Sequence, residues 1–202
     1  MATWMTTAFA VAARTLDEAA ASVSEGARLI SVPAGDSQLA RALVRSGGDF
    51  GVMAEARDEA EALALAESGV AWLIVSPNHA PRLQRGASVG LVAKIPAASR
   101  DDAALWAGLR ERGFIGATPE CGPSRKLTDV WDMTALSAFA TRCRAQGLTF
   151  GFAGGLEAPD APRLMAFKPR WILFGEAVRA EGALSRPLLR DIAALFRDGG
   201  EE

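Results

Sequence analysis

Three lysines, Lys94, Lys126 and Lys168, are the only residues of this chain that could form an imine through a side-chain amine. A lysine side chain attacks a carbonyl carbon only as the neutral amine, after the ammonium has lost a proton. Desolvation favours this loss because it lowers the pKa of the ammonium. Lys94 follows the apolar run 89–93, so its side chain either points into the mouth of a barrel, with a lowered pKa, or lies on the surface. Lys126 falls in the segment 118–129, which is longer than an ordinary loop between a strand and a helix. Lys168 precedes a strand-like run and is predicted to be structural.

Two glycine-containing turns predict a binding site for a phosphate group, one after the apolar run 149–153 and one after 171–174. Glycine lets backbone N–H groups approach an anion closely, and the N-terminus of a following helix adds partial positive charge. The residues predicted to form this phosphate cup are Gly154, Gly155, Gly175, Glu176 and Ala177. Glu176 fits beside a phosphate only if its carboxylate points away or pairs with Arg179. The alternative is that these glycines only make tight turns.

Short β-type runs alternate with amphipathic segments along the chain, a pattern typical of βα units around a parallel sheet. The predicted strands span 8–12, 29–32, 50–53, 72–75, 89–93, 114–117, 149–153 and 171–174. The predicted helices span 16–24, 38–46, 57–68, 100–112, 134–146, 159–166 and 186–197, and only the connection 77–87 lacks a helical pattern. Eight such units predict a compact (βα)₈ TIM barrel as a single α/β domain over residues 1–202, with the cup and Lys94 on one face. A flavodoxin-like or Rossmann-like sheet is the alternative, although no Gly-x-Gly-x-x-Gly follows the first strand.

The single histidine and the two cysteines give weaker signals of chemistry. His79 follows the fourth predicted strand and could transfer protons near neutral pH, although a lone loop histidine usually has no such role. Cys121 lies in the loop after the sixth strand and is interpreted as an unactivated thiol, whereas Cys143 lies in a helical pattern and is predicted to pack in the core. One histidine and two distant cysteines provide no metal-ligand spacing, so neither a metal nor another cofactor is predicted.

The composition excludes several kinds of partner. The 22 basic and 24 acidic residues are interspersed, so the chain lacks the clustered positive charge that nucleic-acid binding requires. Its apolar runs are strand-sized and too short to span a membrane. With two cysteines and no basic segment of the kind that begins a signal peptide, the expected location is the cytoplasm.

The second half of the chain carries a set of short motifs at fixed positions. They are Asp129, Leu136-Ser137-Ala138-Phe139, Gly147-Leu148, Ala153-Gly154-Gly155-Leu156 and Gly175-Glu176-Ala177. In the first half, the segment 25–32 reads Glu-Gly-Ala-Arg-Leu-Ile-Ser-Val. Together these motifs resemble the (5-formylfuran-3-yl)methyl phosphate synthase family of methanofuran and methylofuran biosynthesis. Members of that family read Ala-Gly-Ser-Leu and Arg-Gly-Ala at the last two motifs, and Gly-Gly-Ala-Asp-Ile-Ile-Asp-Val in the first half.

The resemblance implies a carbon–oxygen lyase acting on triose phosphate, which joins two glyceraldehyde 3-phosphate molecules through a Schiff base on a lysine. This chain departs from the family at four of its functional positions. Ser31 and Ala117 stand where the family has aspartates, and Pro33 and Ile74 stand where it has lysines. Because proline carries no amine, the imine would have to form at Lys94 or Lys126. Arg125 or Lys126 stands in for the family's loop lysine, and arginine stays protonated and cannot act as an amine nucleophile.

Three functions are consistent with these residues. The first is a divergent furan-phosphate synthase that uses Lys94 or Lys126. The second is a non-catalytic relative that acts as a homo-oligomer or beside a related enzyme of C1-cofactor synthesis. The third is another phosphate-binding barrel enzyme, because a shared fold does not establish a shared function. The expected ligand is a small phosphorylated metabolite.

Overall fold

The computed structural model describes residues 7–81, 88–122 and 124–197. Eight parallel strands pair in sequence order, and β1 pairs with both β2 and β8, which closes the barrel. The strands are β1 Ala8–Ala12, β2 Leu29–Val32, β3 Gly51–Glu55, β4 Trp72–Val75, β5 Gly90–Pro96, β6 Phe114–Glu120, β7 Thr149–Phe152 and β8 Trp171–Phe174. The predicted TIM barrel is confirmed, and the open-sheet alternative is excluded.

Helices follow the strands as the alternating pattern predicts. They are α1 Leu16–Ser24, α2 Ser37–Ser46, α3 Glu59–Glu67, α4 Ala103–Glu111, α5 Leu127–Val130, α6 Met133–Ala145, α7 Asp160–Met165 and α8 Arg186–Arg197. Short 3₁₀ turns occupy Pro77–His79, Ala97–Ser99 and Glu176–Val178, and a small antiparallel pair joins β9 Arg179–Ala180 to β10 Ala183–Leu184. In the weak connection 77–87, the 3₁₀ turn replaces a helix, and residues 82–87 lie outside the described residues. No helix in the described ranges is long and apolar enough to cross a membrane.

β5 and β6 extend three residues further than predicted, to Pro96 and Glu120. Lys94 pairs with Thr118 and Pro96 with Glu120 at this end of the barrel. Lys94 is therefore inside a strand rather than after it, and the loop after β6 begins at Cys121 rather than at residue 118. The prediction of a long loop over 118–129 is wrong because the neighbouring strand, rather than local β-propensity, decides pairing at the rim.

The core has two layers, one inside the barrel and one between the strands and the helices. Side chains alternate between these layers along each strand. The inner layer comprises Ala10, Leu29, Met53, Ile74, Val92 and Trp171, with Ala8, Trp72 and Leu173 packed against it. The indoles of Trp72 and Trp171 meet edge to face at 5.0 Å between centroids. Trp171 fits because β7 carries glycine opposite it: a Cβ on Gly151 would lie 2.0 Å from the Trp171 indole.

Candidate active site

The mouth of the barrel is lined by polar side chains from neighbouring strands. Ser31, Glu55, Lys94, Thr118 and Glu120 surround a cavity of about 420 Å³. On β3 and β5, Glu55 and Lys94 lie two residues beyond inner-layer residues, so strand alternation directs them toward the barrel axis. The same alternation explains how one end of an apolar barrel can carry a charged cluster.

The Lys94 ammonium lies between two carboxylates. Its Nζ is 2.7 Å from Glu55 Oε1 and 3.2 Å from Glu120 Oε1, and 23% of the side chain is exposed. Burial alone lowers the Lys94 pKa, but the hydrogen bond and charge of Glu55 and the charge of Glu120 outweigh it, so the pKa is raised. The prediction of a lowered pKa is wrong, because it considered desolvation without the two carboxylates that the neighbouring strands supply.

The raised pKa makes Lys94 a source of stability that alkali removes. A cation whose pKa is higher in the folded state contributes fully below its ordinary value, here 10.5, and the contribution is lost as pH rises through the raised value. As the pH rises above 10.5, we expect the free energy of unfolding to fall more steeply in the native chain than in Lys94→Met. Urea unfolding of both proteins from about pH 9 to about pH 12 measures the difference. Parallel curves would contradict the assignment.

The phosphate cup forms a second cavity, of about 600 Å³, between the loops that follow β6, β7 and β8. Gly154 and Gly155 have φ of 113° and 58°, in the region that favours glycine. A Cβ on Gly154 would lie 2.3 Å from Cys121 Sγ, so the two loops approach too closely for a side chain there. The Gly154 carbonyl accepts a hydrogen bond from the Leu127 N–H at 2.8 Å, which holds the loops together.

The structure separates the predicted cup residues by their roles. Gly154, Gly155, Glu176 and Ala177 line the cavity. Gly175 is not among the residues that line it, and it has an ordinary φ of −109°. The glycines after β7 are therefore required by the close approach of the loop after β6, whereas Gly175 is not.

Glu176 pairs with Arg14 rather than with Arg179, the partner that the sequence offered as one possibility. Glu176 Oε1 lies 2.5 Å from an Arg14 amino nitrogen, whereas Arg179 binds both carboxylate oxygens of Glu18, at 2.7 and 2.8 Å. Arg179 also donates to the Ala12 carbonyl, so its side chain reaches toward the end of β1 and the start of α1. Arg14, from the loop after β1, occupies the position by Glu176 instead.

The remaining charges of the cup divide into paired and unpaired groups. Lys126 Nζ lies 2.7 Å from Glu157 Oε1, and that hydrogen bond raises the Lys126 pKa. Arg125 lines the same cavity and makes no ion pair with any residue in the described ranges. With Glu176 paired to Arg14, Arg125 is the cation that the cup offers to an anion.

The other candidates of the sequence lie outside the site or have no activated group. His79 is exposed on the 3₁₀ turn and lines neither cavity. Cys121 lies between the two cavities, and burial raises its thiol pKa. Cys143 is buried, as predicted, and burial raises its pKa to about 12. Lys168 precedes β8, at the opposite end of the barrel. Among the described residues, no three His, Cys, Asp or Glu side chains group closely enough to hold a metal.

The positions aligned with the family's catalytic residues do not all reach the mouth. Ser31 and Ile74 line it, and Pro33 is exposed just beyond β2. Ala117 packs in the outer layer, against the helices, and the polar residues of β6 that line the mouth are Thr118 and Glu120, on either side of Pro119. The sequence comparison at β6 therefore identified a residue on the wrong face of the strand. Counting alternate positions outward from the inner core would have identified Glu55, which sequence reasoning missed.

A closed parallel barrel whose cavities lie at the carboxyl ends of its strands defines this chain as a TIM-barrel protein. The fold is similar to 3-hexulose-6-phosphate synthase from Salmonella typhimurium, with a TM-score of 0.75, 17% identity, and coverage of 95% of this chain and 99% of that one. It is also similar to phosphoribosyl anthranilate isomerase from Thermotoga maritima, with a TM-score of 0.68, 12% identity, and coverage of 95% and 99%. A third similar structure is thiamine phosphate pyrophosphorylase from Pyrococcus furiosus, with a TM-score of 0.68, 13% identity, and coverage of 98% of each chain. These identities establish the fold alone.

The family model of 4-HFC-P synthase matches residues 121–191. Over these 71 of 202 residues the chain is similar to the 4-HFC-P synthase family, the furan-phosphate synthases that the sequence motifs resemble. The matched stretch contains the loops of the phosphate cup and ends within α8, whereas Glu55 and Lys94 precede it. No curated protein matches the sequence significantly.

Proposed function

We propose that this chain binds a small phosphorylated aldehyde at the barrel mouth, with the phosphate in the cup and the carbonyl group at Lys94. The observation that carries the proposal is that the two cavities adjoin: Cys121, Gly122 and Gly154 line both. A ligand that carries an anionic group and a carbonyl group a few carbons apart could place the anionic group in the cup, beside Arg125, and the carbonyl group in the mouth, beside Lys94. Glyceraldehyde 3-phosphate, the substrate implied by the family, is such a ligand.

Recognition of the phosphate rests on Arg125 and on the backbone of the cup. The Lys126–Glu157 and Arg14–Glu176 pairs largely cancel their own charges, so Arg125 supplies the net positive charge. A guanidinium donates parallel hydrogen bonds to phosphate oxygens. The turn at Gly154 and Gly155 brings main chain close to the same space, with no Cβ between the backbone and the ligand.

The specific reaction that we propose is a Schiff-base condensation in which Lys94 supplies the amine. Glu55, hydrogen-bonded to Nζ at 2.7 Å, accepts a proton from the ammonium. The neutral amine then attacks the aldehyde carbon and a C–N bond forms. The former carbonyl oxygen takes up two protons, one returned by Glu55 and one lost by the nitrogen, and it leaves as water as the C=N bond of the protonated imine forms. Lys126 fits this role less well, because it lines the phosphate cup and not the barrel mouth, and its side chain is more exposed than that of Lys94.

Borohydride trapping tests the reaction. The native chain, incubated with glyceraldehyde 3-phosphate and reduced, is expected to carry one adduct on the peptide that contains Lys94. Lys94→Met should abolish the adduct, whereas Lys126→Met and Lys168→Met should retain it. Lys168 is a matched control because it lies at the other end of the barrel. An adduct that persists in Lys94→Met, or no adduct on any lysine peptide of the native chain, would exclude Lys94 as the imine residue.

A second candidate function is binding without catalysis, in a complex with a related enzyme. The raised pKa of Lys94 favours it, because a lysine held as ammonium by two carboxylates is a poor nucleophile. Calorimetry with glyceraldehyde 3-phosphate separates the two functions: binding without a reducible adduct would support the non-catalytic relative. Recovery of a partner enzyme with the tagged chain from its native organism would support this function further, and a monomer without partners would count against it.

A further inference from the structure

We propose that Arg14 is a positioning residue of the phosphate cup: it neutralises and holds Glu176 so that an anion can occupy a cavity that contains a carboxylate. This inference rests on the proposed binding of a phosphorylated ligand. It assigns a role to the loop after β1, which supplies none of the residues that line the cup.

Arg14 makes two contacts with the segment after β8 and a third with α1. One amino nitrogen lies 2.5 Å from Glu176 Oε1, and the other donates to the Gly182 carbonyl at 3.2 Å. The Arg14 backbone N–H donates to Glu18 Oε2 at 2.7 Å. Contacts of both the side chain and the backbone of Arg14 therefore hold its guanidinium beside Glu176.

The neighbouring ion pair leaves the Arg14 guanidinium available for Glu176. Arg179, whose side chain is only 3% exposed, binds Glu18 through both of its carboxylate oxygens. Glu18 therefore has its own guanidinium partner and takes only the backbone N–H of Arg14. The result is two arginines with separate tasks: Arg179 anchors α1 through Glu18, and Arg14 pairs with the cup residue Glu176.

Exposure indicates that the Arg14–Glu176 pair contributes little to folding. The side chains are 52% and 74% exposed, and pairs with such exposure contribute little to stability. Its electrostatic effect on a bound anion is larger, because the carboxylate without its partner would present a full negative charge to an anion in the cavity that Glu176 lines. Repulsion of that kind in a solvated site corresponds to roughly a tenfold change in affinity for a dianion.

Calorimetric titration with glycerol 3-phosphate and with inorganic phosphate tests the role of Arg14, and glycerol serves as the uncharged control. Arg14→Gln is expected to weaken binding of both phosphates about tenfold at low salt, with a smaller loss at about 0.5 M salt because ions screen the exposed charge. Glu176→Gln should bind phosphate more tightly than the native chain. The double variant should recover an affinity close to the native value, and Arg14→Lys should retain most of it.

The combination of variants separates an electrostatic role from a structural one. If the pair merely held the loop in shape, Glu176→Gln would lose as much affinity as Arg14→Gln, and the double variant would show no recovery. Either result, or unchanged binding in Arg14→Gln, would overturn the role of Arg14 and leave the proposed ligand intact. Failure of the native chain to bind either phosphate would overturn both. Unchanged circular dichroism and melting temperature of each variant show that the comparison concerns folded protein.

Discussion

Replacing Gly151 with alanine is expected to lower the free energy of unfolding by about 3 kcal/mol or more, or to prevent folding. The new Cβ would lie 2.0 Å from the Trp171 indole, which is fully buried inside the barrel. The indole has little room to retreat because Trp72 packs against it at 5.0 Å between ring centroids. Urea unfolding followed by circular dichroism measures the loss.

Gly108→Ala provides the matched control for this substitution. Gly108 lies within α4, and a Cβ there would meet nothing nearer than Arg112 Cδ at 3.9 Å. Alanine in a helix interior is favoured over glycine by up to about 1 kcal/mol, so this variant should be as stable as the native chain or more stable. A Gly151→Ala protein that unfolds at the native urea concentration would show that the Trp171 indole does not pack against β7 as described.

The second large effect is expected for Arg179→Met, which should cost about 3–5 kcal/mol because it leaves the Glu18 carboxylate without its partner. The two side chains are only 3% and 18% exposed, and they join the segment after β8 to α1. Methionine keeps much of the arginine stem's packing, so the loss reports mainly on the charge. The double variant Arg179→Met with Glu18→Gln should be less destabilised than Arg179→Met alone, because no charge then remains unpaired.

The pH dependence of this effect has a defined sign. The hydrogen bond and charge of Arg179 lower the Glu18 pKa below its ordinary value of 4.5, against the opposing effect of burial. A carboxyl group with a lowered pKa stabilises the fold above that value, and its contribution is lost as pH falls through the lowered pKa. The stability difference between the native chain and Arg179→Met should therefore be complete near neutrality and shrink below pH 4.5. A difference that is constant with pH would contradict the assignment.

Arg190→Met is the matched control for the buried pair. Arg190 also binds a glutamate, Glu25, at 2.9 Å, but its side chain is 61% exposed. The Glu25 side chain is only 13% exposed, but it keeps Arg186 at 3.9 Å when Arg190 is replaced, and solvent reaches the place of the lost guanidinium, so little stability should be lost. Comparison of the two arginines tests whether burial, rather than the number of ion pairs, decides the effect.

The regular pattern of the core made most elements predictable. β1, β2, β4 and β8 have the predicted limits, because each is an apolar run, interrupted only by Ser31 in β2, and is packed on both faces. The ends of β5 and β6, at the rim of the barrel, could not be predicted in the same way. Lys94 has little strand preference, and Thr118, although β-branched, is followed by proline and glutamate, which are depleted in strands. Both residues belong to strands because they pair with each other.

The site was predictable in its parts but not in its contacts. The scarcity of lysine and the glycines after β7 are visible in the chain itself, and they mark Lys94, Gly154 and Gly155 as candidates. Glu55, 39 residues from Lys94 in the chain, carries no local signal that it would bind the ammonium. Its position follows from the alternation of side chains along β3, which directs Glu55 toward the barrel axis, and from the closure of the barrel, which brings the rim residues of separate strands together.

The sequence by itself determined the eightfold alternation of strands and helices and the places where glycine is needed, because periodicity and backbone freedom are local properties of the chain. Only the tertiary structure decided which charges meet. It placed Lys94 between Glu55 and Glu120, and it paired Glu176 with Arg14 rather than with Arg179. The physical reason is that an ion pair depends on a separation of a few ångströms between side chains, and barrel closure sets those separations between residues that are far apart in the chain.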